Sequence, residues 1–115
     1  MFTRSAIFEG RIHEGQEEAF YTAIQEQMLP IWRSLPHAID VRLYRMVRKD
    51  DDAPAIFLIQ EIDYPSLEAI EEAMNSPMRE KAQAAHEKIK PMYSGRHFHI
   101  ISRKLTAEWH GSFAG

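Results

Sequence analysis

The sequence predicts one α+β domain of ferredoxin-like β-α-β-β-α-β order, with a four-stranded antiparallel sheet and both helical regions on one face. Three observations lead to this prediction. Four segments alternate apolar and polar side chains with the period of a β-strand. Two longer segments carry apolar residues every three or four positions, as amphipathic helices do. The link between the second and third strands is too short for a parallel crossover, so these strands form a hairpin.

The first strand and the first helix occupy the N-terminal third of the chain. Alternation predicts the strand over residues 3–12, and an apolar stripe predicts the helix over residues 16–35. Pro30 is expected to kink or end this helix, because proline lacks the backbone donor that a helix interior needs.

The other three strands follow from the same alternation. They are predicted over residues 39–47, 55–62 and 96–104. Residues 49–54 are polar and include a proline, which is typical of a hairpin loop. Residues 93–95 are predicted to form a turn before the last strand.

The second helical region is divided by a capping signal. Ser66 is the predicted N-cap of its first part, over residues 67–74. Ser76 followed by Pro77 predicts a restart, because serine caps a helix and proline suits its first position. The second part is predicted over residues 78–89.

Length, charge and composition exclude several classes of protein. The 115 residues suffice for one domain, predicted over residues 1–105 with a tail at 106–115. The net charge of −3, with acidic and basic residues interspersed, argues against a nucleic-acid partner. The absence of cysteine excludes disulfides, thiolate metal sites and cysteine nucleophiles. No apolar segment is long enough for a secretory signal or a membrane span, so we expect a cytoplasmic protein without a membrane partner.

Alternation also divides the strand residues between two faces of the sheet. The face under the helices is expected to hold Ala6, Phe8, Ile12, Ile39, Val41, Leu43, Val47, Ile56, Leu58, Ile62, Phe98 and Ile100. The opposite face is expected to include the apolar residues Ile7, Met46, Phe57, Ile59 and Ile101. An apolar patch of that size on a monomer marks an interface or a ligand site. We therefore expect a homodimer through this second face, with Trp109 and Phe113 of the tail either frayed or packed on the partner chain.

Titratable groups on the second face predict a small-molecule site between two such sheets. His97 and His99 lie two apart on a strand, so both imidazoles should point into the same space and work as acid or base. Glu61 would be a second candidate base if an apolar surrounding raised its pKa. These three residues are the predicted catalytic groups, and hydrogen bonding or ion pairing within the sheet is the alternative. The predicted ligand-binding residues are Glu9, Arg11, Arg42, Tyr44, Phe57 and Ile59. No metal is predicted, although the two histidines with Glu9 or Glu61 stay open as a metal site.

The third strand and the helix that follows it carry a family resemblance. The stretch IFLIQEI runs into YPSLEA, a strand followed by a helix entry, and the break at Asn75-Ser76-Pro77 is also similar. Over residues 3–104 the chain resembles the dimeric α+β barrel superfamily, which includes antibiotic-biosynthesis monooxygenase-like and stress-responsive barrel proteins. The resemblance implies a barrel formed by two sheets, with a lumen in each subunit.

The resemblance also implies a range of activities. Members include cofactor-free oxygenases of aromatic polyketides, lactone isomerases, dehalogenating or decarboxylating enzymes and haem-degrading proteins. In haem-handling relatives a helical histidine ligates iron, which makes His86 a candidate by resemblance, whereas a solvated or capping histidine is the ordinary interpretation.

Three functions stay open from the sequence. The first is a cofactor-independent, monooxygenase-like or isomerase-like enzyme acting on a small apolar or aromatic molecule in the lumen. The second is a protein that binds a lipid-like or aromatic ligand without changing it. The third is a structural dimer whose second face is sealed and has no catalytic function.

Overall fold

The computed structural model describes residues 1–107, so Trp109 and Phe113 of the predicted tail lie outside the described residues. The four strands are β1 (Phe2–Ile12), β2 (Asp40–Arg45), β3 (Ile56–Tyr64) and β4 (Tyr93–Arg103). The helices are α1 (Glu17–Ala23), α2 (Leu29–Arg33), α3 (Leu67–Met74) and α4 (Pro77–Ile89). Every strand pair is antiparallel, and the order in the sheet is β2-β3-β1-β4. The predicted ferredoxin-like α+β class is confirmed.

Helical structure passes through Pro30 without ending there. A wide π-helical turn, Ile24–Met28, joins α1 to α2, and the backbone N–H of Leu29 donates to the carbonyl of Ile24. Pro30 then lies in the first turn of α2, where a missing backbone donor costs little. The chain therefore accommodates the proline by widening one turn.

The two predicted serine caps are present. Ser66 Oγ accepts the backbone N–H of Ala69 at 3.0 Å, and Ser76 Oγ accepts that of Arg79 at 3.3 Å. The restart of the helix at Pro77 is thereby confirmed.

One apolar core fills the space between the sheet and the helices. Its most deeply buried members are Phe20, Ile24, Met28, Leu58, Ile62, Tyr64 and Ile89. Ile39 and Val47 are predicted in this core, but they are 54% and 92% exposed because β2 begins at Asp40 and ends at Arg45, which leaves both residues outside the strand. Within residues 1–107, no helix has the length and apolar character needed to cross a membrane.

The pairing of β4 with β1 places the β4 side chains on the faces opposite to those predicted. Ala6 lies opposite His99 and Phe8 lies opposite His97. Directly paired residues point to the same side of a sheet, so both histidines face the helices. Phe98 is correspondingly on the outer face. The prediction that His97 and His99 share the outer face with Glu61 is wrong. Alternation shows only that successive residues of a strand face opposite sides, and the pairing with β1 decides which side each residue faces.

A β-bulge reverses a second prediction. Between Phe8 and Glu9 the register with β3 shifts, so that Leu58 and Ile56 pair with successive residues of β1. The extra residue is Phe57, which turns toward the helices and is buried. Its ring centroid lies 5.5 Å from that of Phe20. Phe57 is therefore a core residue, whereas the alternation had placed it on the outer face.

The segment predicted as a turn, residues 93–95, is part of β4. Gly95 pairs directly with Gly10, and both have φ of 135°. A Cβ on either glycine would collide with the backbone of the facing strand. The close approach of two glycines thus lets β1 and β4 remain paired from end to end.

Candidate functional site

A cavity of about 340 Å³ lies between the helix side of the sheet and the helices. Its apolar walls are formed by Ala6, Phe8, Met28, Trp32, Leu35, Ile62, Met74 and Ala82. Its polar lining consists of Arg4, Gln60, Arg79, Gln83, His86, Glu87, Lys90, His97 and His99. A cavity that combines apolar walls with convergent polar groups is a candidate small-molecule site.

Three histidines cluster at one side of the cavity. The ring centroids of His86 and His97 are 4.8 Å apart, and those of His97 and His99 are 5.3 Å apart. His97 also stacks on Phe8 at 5.1 Å. The two β4 histidines reach the cavity because they occupy alternate positions of one strand, and His86 joins them from α4.

A tyrosine holds the helical histidine. His86 Nε2 and the hydroxyl of Tyr93 are hydrogen-bonded at 2.8 Å. Burial raises the pKa of Tyr93, so its hydroxyl stays protonated near neutral pH. Burial and the neighbouring His97 lower the pKa of His86. His86 was expected to be a solvated or capping residue, and the structure instead gives it a fixed place in the cavity.

The two β4 histidines are neutral at pH 7. Burial, followed by the positive charge of Arg4, lowers the pKa of His99 to about 4. Burial and the charges of Arg4 and Arg79 also lower the pKa of His97. Neutral imidazoles can accept a proton, which is the state that a general base requires.

Two arginines line the cavity without a carboxylate partner. Within residues 1–107, neither Arg4 nor Arg79 forms an ion pair, and the one side-chain hydrogen bond of Arg79 goes to Sδ of Met74. Burial and the charge of Arg79 lower the pKa of Arg4 to about 10. The positive charges of this pair act on His97 and His99, which line the same cavity.

None of the six predicted ligand-binding residues lines this cavity, and Phe57 lies in the core instead. Glu9 accepts from Arg96 at 3.0 Å and Tyr44 is 44% exposed. Arg42 forms ion pairs with Asp40, Glu61 and Asp63 at 2.7–3.0 Å. Arg11 and Ile59 also lie outside the cavity lining.

The predicted convergence of Glu61 with the two histidines is therefore not found. Glu61 pairs with Arg42 on the outer face, and the cavity of the chain lies on the helix side of the sheet. Among residues 1–107, no group of three or more histidines and carboxylates has the arrangement to hold a metal ion.

Sequence reasoning missed Arg4, Gln60 and Arg79 as functional candidates. Arg4 had a signal, because it shares the alternating phase of Ala6 and Phe8 and a charge at an inward position is unusual. Gln60 shares that phase in β3. Arg79 gave no signal, since an arginine in an exposed-looking helical turn is ordinary.

Solved structures with this fold cover nearly the whole chain. An ethyl tert-butyl ether (EthD) family protein from Bacillus halodurans has a TM-score of 0.70 at 18% identity, over 91% of this chain and 99% of that chain. SnoaB, a cofactor-independent oxygenase from Streptomyces nogalater, has a TM-score of 0.62 at 13% identity, over 92% and 94%. A dimeric protein of unknown function with a ferredoxin-like fold from Bacteroides fragilis has a TM-score of 0.67 at 8% identity, over 90% and 95%.

The chain shares the ferredoxin-like α+β fold of these proteins. Similar structures also include an antibiotic biosynthesis monooxygenase, at 11% identity. Identities this low establish the fold and leave the chemistry to the site. No family model and no curated protein matches the chain.

Proposed function

We propose that the protein is a cofactor-independent enzyme, monooxygenase-like or isomerase-like, that deprotonates a small apolar or aromatic molecule in the cavity. The observation that supports this most is that one cavity is lined both by the imidazoles of His97 and His99 and by Arg4 and Arg79, which have no carboxylate partner within residues 1–107. A base and an oxyanion stabiliser are the two groups that enolate formation needs.

The chemistry divides between the two kinds of group. An imidazole of His97 or His99 takes a proton from an acidic C–H next to a carbonyl, and the C–H electron pair moves to the carbonyl oxygen. Arg4 and Arg79 stabilise the negative oxygen that forms. The enolate then either takes a proton at another carbon, which is isomerisation, or reacts with dioxygen as co-substrate.

His86 has a supporting part in this scheme. Its hydrogen bond to Tyr93 fixes the ring, and its edge packs beside His97 at 4.8 Å. Since a protonated His86 would repel a proton arriving on His97, the lowered pKa of His86 keeps the neighbouring base available.

Proton abstraction can be measured without knowing the natural substrate. We expect the protein to exchange the acidic protons of 2-tetralone for deuterium in D₂O faster than the buffer alone does. NMR measures this exchange in samples from which dioxygen has been removed. His97→Gln and His99→Gln together should lower this exchange about a hundredfold, the usual range for a general base. His13→Gln is the matched control, because His13 bonds Ser94 outside the cavity.

The alternatives give different results in the same assay. Exchange at the buffer rate in the wild type, together with binding of the ketone, would contradict enzyme action and favour a protein that only binds apolar ligands. Exchange that survives the double histidine substitution would remove the proposed base. A chain that neither binds nor exchanges the ketone would favour the purely structural dimer.

We further propose that the outer face pairs with a second copy of the chain. It exposes apolar side chains, including Tyr44 and Ile100, that a monomer would leave in water. Proteins of this fold from Bacteroides fragilis and Thermobifida fusca are described as dimeric. The predicted groups Glu9, Arg11, Arg42 and Glu61 would then lie at or beside that interface.

Native mass spectrometry tests this pairing. We expect a homodimer for the wild type and a monomer for Ile59→Lys, which puts a charge in the centre of the outer face. Leu67→Lys is the control, because Leu67 is 51% exposed on α3, away from the sheet. A monomeric wild type, or a dimer that tolerates Ile59→Lys, would contradict the assignment.

A further inference from the structure

The two cavity arginines are placed where the folded chain gives them little stabilisation. Arg4 and Arg79 are half-buried, repel each other and have no carboxylate partner within residues 1–107. Arg79 also lies in the first turn of α4, where the helix dipole disfavours a positive charge. Buried cations are normally paired, so this pair has an unused capacity to bind an anion.

Two buried oxygens near these arginines also lack partners. Gln60 is 4% exposed and lines the cavity, and its Oε1 accepts no hydrogen bond within the described part of the chain. The hydroxyl of Tyr64, which is close enough to Arg4 and Arg79 to feel their charges, is also buried without a partner. The unpaired Oε1 of Gln60 can only accept a hydrogen bond, but the amide N–H₂ of the same side chain can donate to an oxyanion. Of these two residues only Gln60 lines the cavity, so it offers a donor beside the arginines.

We propose that Arg4, Arg79 and Gln60 form a carboxylate-binding subsite, and that the ligand of this cavity is an aromatic or other apolar carboxylic acid. This inference rests on the proposed function, because it takes the cavity to be the ligand site. It adds the substrate class: the acid group lies against the two guanidiniums and the apolar part lies along Phe8, Met28 and Trp32.

The shape and charge of the cavity favour a carboxylate. Guanidinium groups bind carboxylates through pairs of parallel hydrogen bonds, and Arg4 has all of its donors free within residues 1–107. Phe8, Met28 and Trp32 give the cavity apolar walls, which suits a ligand with one charged end and a hydrocarbon body, and Glu87 and Lys90 line the same cavity. The subsite also lies beside His97 and His99, so a bound acid would lie next to the proposed base.

A matched pair of ligands tests the subsite by calorimetry. 2-Naphthoate and 2-naphthalenemethanol have the same ring system, and only the first carries a charge. We expect the wild type to bind the acid about tenfold more tightly than the alcohol, as charge-assisted hydrogen bonds would give. Arg4→Gln and Arg79→Gln should each remove most of this preference and leave the affinity for the alcohol within about twofold.

The control is Arg48→Gln, which makes the same change of net charge at an exposed position between β2 and β3. It should keep the full preference for the acid. A second readout is NMR titration of the histidines. Bound naphthoate should raise the pKa values of His97 and His99, because it offsets the charges of Arg4 and Arg79 that lower them.

The possible results separate the subsite from the cavity that contains it. Equal affinity for acid and alcohol, or a preference unchanged in both arginine variants, would overturn the subsite and leave the apolar cavity as the ligand site. A protein that binds neither compound would overturn the subsite and the proposed ligand site together. Tighter binding of the acid that depends on Arg4 or Arg79 would support the carboxylate class even if 2-tetralone exchange proved absent.

Discussion

Two pairs of arginines, Arg42 with Arg96 on the outer face and Arg4 with Arg79 at the cavity, have different surroundings. On the outer face Arg42 is held by three carboxylates and Arg96 by Glu9, so each positive charge has a structural partner. On the helix side Arg4 and Arg79 stand together without one within residues 1–107. Ion pairs such as those of Arg42 and Arg96 stabilise the fold. Charges without a partner beside a cavity lower the stability of the protein, and we expect them where a ligand binds.

The largest effect should come from removing a paired arginine. Arg42→Met would leave Asp63 and Glu61 partly buried without a cation, and we expect a loss of about 1–2 kcal/mol in the free energy of unfolding. Urea denaturation would measure it, with Arg48→Met as the exposed control. Equal stability of wild type and Arg42→Met would show that the outer ion pairs are not structural.

The two faces should also respond to pH in separate ranges. On the helix side, folding keeps His99 neutral with a pKa of about 4, whereas the unfolded chain takes up the proton near the ordinary value of 6.5. Stability therefore falls as the pH drops from about 6.5 to 4, and then levels off. On the outer face, the hydrogen bonds from Arg42 hold the pKa of Asp63 below its usual 3.8. That contribution is complete above pH 3.8 and is lost only as the pH falls further.

We expect the histidine effect to be about 1 kcal/mol, because solvent at the open cavity mouth screens these rings. Unfolding measured at pH 7 and pH 4.5 would show it, and His99→Gln should reduce the difference. His13→Gln should leave it unchanged. A stability that is flat between pH 7 and 4.5 would contradict the lowered histidine pKa values.

The fold could be read from the sequence because its signals are local. Alternation located the four strands, and Ser66 and Ser76 marked the two helix starts that the structure confirms. The strand boundaries were less exact, since nothing local distinguishes the end of β2 at Arg45 from its predicted continuation.

The site could not be read in the same way because non-local pairing determines it. The segment H-F-H-I fits either face of a sheet, and only the pairing of Ala6 with His99 places the imidazoles beneath the helices. Hydrophobicity favoured the opposite phase, since it placed Phe98 and Ile100 inside. Phe57 faces the side opposite to the predicted one because of a β-bulge that nothing in the sequence of β3 indicates. Arg4 is the exception, because a charged residue among the inward-facing positions of β1 could be recognised from the sequence.

The smallest effect is the sharpest test of the difference between the two faces. Arg4→Met should leave the ligand-free protein as stable as the wild type or more stable, by up to about 1 kcal/mol, because it removes a half-buried charge and its repulsion with Arg79. Urea denaturation without ligand measures this, and calorimetry with 2-naphthoate measures what the substitution removes. A gain in stability together with a loss of acid binding would identify Arg4 as a residue kept for its ligand. A loss of stability as large as that of Arg42→Met would instead mean that Arg4 supports the fold, and the contrast between the two faces would fail.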